Sequence, residues 1–295
     1  MFDFIIHVIT IAGIYALVAL ALNIQAGYAG LLNFGHIAFV GIGAYAIGIG
    51  SQFGLPVSLS ALIGILLAML LGAGMSMLGR QLSADYWGIA TLAVAEIIRI
   101  IVINEDRFTG GSQGIGNINA PWATGSTSTD NLIFVGIVII ATLLGALLCI
   151  RLNRSRFGRA LRLMREQPQL ATCMGYHLQS LKCRALMLSA AISAFAGILL
   201  AFYTSYVSPD YLLPSQTFLI WGMLMIGGIG NVGGVLLGVM VVELLYNFIP
   251  FAKDFLHISS DVTGALRLGL IGFILLLCLL KKAGGLIPER LRMMP

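Results

Sequence analysis

Charge is scarce in this chain. Asp, Glu, Lys and Arg make up 10% of its 295 residues, whereas 59% are hydrophobic and the mean hydropathy is +0.97. So little polar surface cannot cover a soluble globule of this length, and the sequence reads as an integral membrane protein. Cysteine is scarcer still. Cys149, Cys173, Cys183 and Cys278 fall in or beside ends expected on the cytoplasmic side, without CxxC spacing, so neither a disulfide nor a metal site is expected. No GxxxxGK[ST] occurs, so the chain has no P-loop, and any ATP that drives it must be hydrolysed by another subunit. HExxH and paired aspartates are absent too, which removes two of the usual hydrolytic constellations. A GxGxxG does occur at Gly228–Gly233, but between apolar segments and outside any βαβ unit, so close packing or a membrane hairpin is the expectation there.

Long apolar runs are abundant. Stretches near spanning length occur at Phe4–Asn23, Gly35–Gly50, Val57–Leu78, Tyr86–Asn104, Leu132–Ile150, Ala185–Tyr206, Thr217–Ile229, Val235–Phe248 and Gly264–Leu280. The expected fold is an all-α polytopic bundle of about eight or nine transmembrane helices, some broken by glycine, forming one membrane domain over 1–295. With no basic n-region and no small-residue cleavage site, Phe4–Asn23 is expected to be a retained span. Cations near span ends stay inside. The basic loop of about 151–184, with Arg151, Arg154, Arg156, Arg159, Arg162, Arg165, Lys182 and Arg184, is therefore cytoplasmic, as is the tail with Lys281, Lys282, Arg290 and Arg292. Parity between those anchors requires Thr217–Phe248 to cross twice or to contain a re-entrant segment. Arg80 then lies inside and Glu105–Asp130 outside.

Four stretches carry the candidate chemistry. Gly27–Ala46, GYAGLLNFGHIAFVGIGAYA, sets Asn33 and His36 among glycines; this predicts either a broken helix lining a substrate path or glycine packing around a buried histidine. Within Tyr86–Asn104, Thr91, Glu96 and Arg99 interrupt an apolar helix, and the spacing of Glu96 and Arg99 predicts a pair that is either structural or part of translocation. Thr109–Gly116, TGGSQGIG, is either a ligand- or protein-facing loop or a plain surface turn. Arg165–Tyr176 holds Pro168 and Gly175, which predict a short cytoplasmic helix of about two turns. It is either a knob for a partner's groove or a basic loop on anionic headgroups.

Taken together in order and spacing, GYAGLLNFGHIAFVGIGAYA, TLAVAEIIR with TGGSQGI, SRFGRALRLMREQPQLATCMG and GGIGNVGGVLLG resemble the permease subunits of branched-chain amino acid ABC importers, the LivM type in particular. The resemblance implies a non-catalytic, cofactor-free permease in the bacterial inner membrane. It implies four kinds of partner: a second permease, two cytoplasmic ATP-binding subunits, a periplasmic binding protein and membrane lipid, with no nucleic acid. It further implies that Arg165–Gly175 is the coupling helix, with Arg165, Glu166, Ala171 and Gly175 at the ATPase contact, although Gln169 and Thr172 depart from the family's usual residues. Asn33, His36, Thr91 and Glu96 would border the translocation path, and Thr109, Gly110, Gly111 and Ser112 its outer end. The expected cargo is aliphatic amino acids. Urea, amides or other amino acids carried by the same architecture are the alternative, and an ion-gradient carrier using Glu96 and His36 is a competing class.

Overall fold

The computed structural model describes residues 2–79, 82, 84–118, 120–121, 127–256, 269, 272–273, 276 and 285–288. Most of the expected span Gly264–Leu280, together with Arg80, Lys281, Lys282, Arg290, Arg292 and Cys278, lies outside these residues. The described residues form helices α1 (Phe2–Asn23), α2 (Ile37–Gln52), α3 (Val57–Leu78), α4 (Ala84–Asn104), α5 (Asp106–Thr109), α6 (Thr127–Arg154), α7 (Arg156–Glu166), α8 (Pro168–Cys173), α9 (Leu178–Thr204), α10 (Pro214–Gly227) and α11 (Val232–Leu256). A π-helix, Ile24–Tyr28, prolongs α1, and no strand occurs among the described residues beyond one isolated bridge.

Five of these helices are long and apolar enough to cross a membrane: Phe4–Tyr28, Val57–Leu78, Tyr86–Asn104, Thr129–Arg154 and Leu178–Thr204. Ile37–Gln52 and Val232–Asn247 are shorter apolar helices. The chain is thus an all-helical, multi-pass membrane protein. Several helices outrun their apolar stretches. Arg151 and Arg154 continue α6, and Lys182 and Arg184 begin α9, because charged residues at a span's end keep their heads in water while the backbone stays helical.

The centre of the bundle is α9, which packs against α1, α2 and α3. Small residues permit that closeness. A Cβ on Gly43 of α2 would sit 2.1 Å from the carbonyl oxygen of Ala194, and one on Gly197 of α9 would sit 2.0 Å from that of Val40. Between lipid-like side chains, where burial supplies no hydrophobic gain, such backbone approach is a main source of packing attraction. The α10–α11 turn is equally tight, since Gly227 and Gly234 abut through their backbones, in keeping with the hairpin reading of the GxGxxG run. At the far end of the bundle, Ile115 and Val207 exchange two hydrogen bonds of 2.8 Å and staple the loop after α5 to the loop after α9.

Candidate functional site

The glycine-rich stretch does break a helix, but the break falls at 24–36, before Ile37–Gln52, which is continuous. Leaving the helical ladder at that depth exposes backbone groups that lipid cannot satisfy. Side chains from two other helices take over. Thr91 of α4 accepts from the Phe34 amide at 3.1 Å, Thr217 of α10 accepts from the Ile37 amide at 3.3 Å, and the Trp221 indole donates to the Asn33 carbonyl at 3.0 Å. Asn33 closes the turn itself by accepting from the Gly35 amide at 2.9 Å.

Gln25, inside the π-helix, is the hub. Its carbonyl oxygen accepts from Asn33 Nδ2 at 2.9 Å, and its amide nitrogen donates to Ser189 of α9 at 2.6 Å while lying 3.4 Å from His36 Nδ1. His36 Nε2 lies 3.3 Å from the Val18 carbonyl, which can only accept, so Nε2 carries the proton and Nδ1 is left to accept from Gln25. Ser193 sits 2.9 Å from the same Nε2. Asn33, His36, Thr91, Gln25, Ser189, Ser193 and Thr217 are all fully buried. The structure therefore brings together three of the four expected path residues, in a polar core sealed from solvent. Glu96 is apart from them. On the outward face of α4 it pairs with Arg99, whose Nε and Nη2 reach it at 2.9 and 2.5 Å, and about a third of its side chain stays exposed.

Ser189, Ser193, Trp221 and Thr217 were not singled out by the sequence. The two serines are four apart on one apolar helix, which puts them on one face, and that spacing is the signal that could have found them.

At the far end of the bundle, Thr109 donates to the carbonyls of Val102, at 2.7 Å, and Glu105, which locks the end of α5 onto α4. Gly110 and Gly111 form the turn that follows, Tyr206 donates to the Gln113 carbonyl, and Ser112 stands exposed at the tip. The TGGS loop is a fixed turn held against the loop after α9.

At the opposite end of the bundle, α7 and α8 precede α9, and the short helix expected from Pro168 and Gly175 is α8. Ser155 caps α7 by accepting from the Gly158 amide at 3.1 Å, and α7 lays Leu161 and Met164 on the bundle with Arg156 and Arg159 outward. Then α8 begins on Pro168, a residue suited to the first turn of a helix because the amide it lacks has no helical partner there. Gly175 ends it at φ +83, with the Tyr176 amide on the Ala171 carbonyl and the Gly175 amide on that of Thr172. This left-handed stop costs a β-carbon residue strain that glycine avoids. From Glu166 to His177 every side chain is exposed except Ala171. Ala171 faces its own bundle, so its small side chain serves the seating of α8 on this chain. The outward surface is instead Leu170, Met174 and Tyr176, beside Glu166. Arg165 also turns inward, to the carbonyl of Gly27.

Residues 4–279 match the family described as the permease component of branched-chain amino acid transport systems. The chain belongs to that family. The probable branched-chain amino acid transport permease protein LivM of Methanocaldococcus jannaschii is 31% identical to this permease, over 98% of the chain and 94% of that protein. The high-affinity LivM permease of Escherichia coli is 29% identical over 88% of the chain, which spans 66% of that relative's length. The LivH permease of Salmonella typhimurium is 25% identical, over 79% of the chain and 80% of that protein. Both LivM and LivH permeases are thus among its relatives. No solved structure matches the chain.

Proposed function

We propose that this chain is one of two permease subunits of an ATP-driven importer that moves branched-chain amino acids across the bacterial inner membrane. The observation that carries the reading is the interrupted first span, whose polar core stands directly above an exposed inner segment. That is the layout expected of a path worked from the cytoplasmic side. In this reading the whole of 1–295 is one membrane domain. The described helices α1, α2, α3, α4, α6, α9, α10 and α11 make eight crossings. The chain binds no cofactor, and the ATP is bound and hydrolysed by two cytoplasmic subunits.

Docking on those subunits falls to α8, through Glu166, Leu170 and Met174, with Gly175 and Ala171 fixing its angle and seat. Arg165 completes this coupling segment from the inner side. Asn33, His36 and Thr91 border the path when the polar core opens. Glu96 lies on the face of α4 that this chain leaves uncovered, where a second permease of the LivH type would complete the wall. Thr109, Gly110, Gly111 and Ser112 present the outer turn to a periplasmic binding protein that delivers the cargo.

The test is uptake of radiolabelled leucine by vesicles holding this chain with and without those partners, with urea and acidic amino acids as competitors. ATP-dependent uptake that needs every partner and is blocked by aliphatic amino acids alone is the expected result. Uptake by the isolated chain would sink it.

A further inference from the structure

One side chain joins the inner segment to the broken span. Arg165, in the last turn of α7, sends Nη1 to the carbonyl of Gly27 within the π-helix, while its Nη2 donates to Glu166 at 3.1 Å. Gly27 is in the last turn before the helix gives way, where carbonyls lose their helical donors and the helix dipole favours a cation. The stem of Arg165 lies across Gly30, where φ is +68 and a β-carbon would come 2.7 Å from Arg165 Cγ. Gly30 is therefore required twice, for a left-handed turn and for the passage of this arginine. The π-helix that Arg165 grips also contains Gln25, the hub of the polar core. The same turn touches the α10–α11 hairpin, since Asn23 Oδ1 accepts from the Gly230 amide at 2.8 Å. A cavity of about 220 Å³, lined by Gly30, Trp87, Arg165, Pro168 and Lys182, lies beside the contact and leaves α7 room to shift.

We propose that Arg165 is a positioning residue that transmits movement of α7 and α8 to residues 24–36, and so opens or seals the polar core around Gln25, Asn33 and His36. This rests on reading the chain as part of an ATP-driven importer. The grip is specific to arginine. Its planar fork bonds Gly27 and Glu166 at once, which the single ammonium of lysine does only in part. A rigid element tied at both ends carries displacement, whereas a solvated basic loop carries none.

The test uses the complete transporter in proteoliposomes, with ATP hydrolysis and leucine uptake measured on the same vesicles for wild type, Arg165→Met and Arg165→Lys. Losing a charge-assisted hydrogen bond at the linkage should cut leucine moved per ATP hydrolysed roughly tenfold in Arg165→Met. Arg165→Lys should restore part of the ratio. Hydrolysis and uptake falling in equal proportion, or both unchanged, would overturn the proposal. Hydrogen exchange of 24–36, with and without a non-hydrolysable ATP analogue, gives an independent reading should Arg165→Met assemble poorly and Arg165→Lys have to stand for it. The nucleotide-dependent change in 24–36 should shrink in the variant while that in α7 persists. A merely structural arginine would raise exchange in both states and leave the nucleotide response in place, which also overturns it. If the wild-type complex shows no ATP-dependent uptake, the importer reading falls, and the proposal with it; that result is read without any variant.

Discussion

The helices α1 and α9 differ from α3, α4 and α6 in a way that apolarity does not explain. In their most apolar windows, 61% of α1 and 67% of α9 is buried within the chain, against 28% for each of the other three. Yet α6, the most apolar of the five, is among the peripheral ones. In water the greasiest helix goes to the centre. In a bilayer the surroundings are as greasy as the interior, so what selects a helix for the centre is polar groups that need partners and small residues that let backbones meet. The two central helices supply Asn23, Ser189, Ser193 and Gly197, whereas α6 shows Leu143, Leu144 and Leu147 to its surroundings.

Substitutions can break this contrast or sharpen it. Gly197→Leu drives a side chain into the Val40 carbonyl of α2 and should cost about 3 kcal/mol, the upper end for overpacking, seen as a lower thermal midpoint in detergent. An unchanged midpoint would show that the α2–α9 contact is loose. Gln25→Leu preserves much of the bulk but strips Asn33 and Ser189 of their shared partner. A loss of about 2 kcal/mol is expected, together with loss of uptake, because unpaired buried polar groups cost that much. Full stability in that variant would mean that the polar core is wet. Gly175→Val lies outside both groups of helices. It should cost only about 1–2 kcal/mol, the penalty of a left-handed residue bearing a β-carbon, and leave insertion intact while uptake vanishes. Normal uptake would remove α8 from the coupling role. At the quiet end, Leu144→Ala on α6 should stay within about 0.5 kcal/mol of wild type in the same melt, since its side chain is 61% exposed.

Much of this was legible beforehand, and the reasons differ by region. Apolar length revealed α1, α3, α4, α6 and α9, since a run near spanning length leaves few alternatives. Pro168 and Gly175 announced α8 because each acts on its own local backbone. The spacing of Glu96 and Arg99 announced their ion pair for the same reason. The polar core was half visible. Asn33 and His36 stood out as polar residues among glycines, but Ser193, the partner of His36, and Ser189, the partner of Gln25, lie more than 150 positions from them, and no local pattern names them. The inward turn of Arg165 was not legible at all. An arginine in a basic loop reads as solvated until the carbonyl of Gly27 is seen above it.

The Glu96–Arg99 pair bears on how the protein is made. The staple beyond the C-terminal end of α4 draws on residues far along the chain, with Tyr206 reaching Gln113 across 93 positions. While a ribosome is still extending the polypeptide, α4 meets the translocon before α9 exists. A carboxylate and a guanidinium one turn apart neutralise each other as soon as that turn winds up. The segment thus enters the bilayer as a nearly uncharged helix, with its insertion independent of anything not yet synthesised.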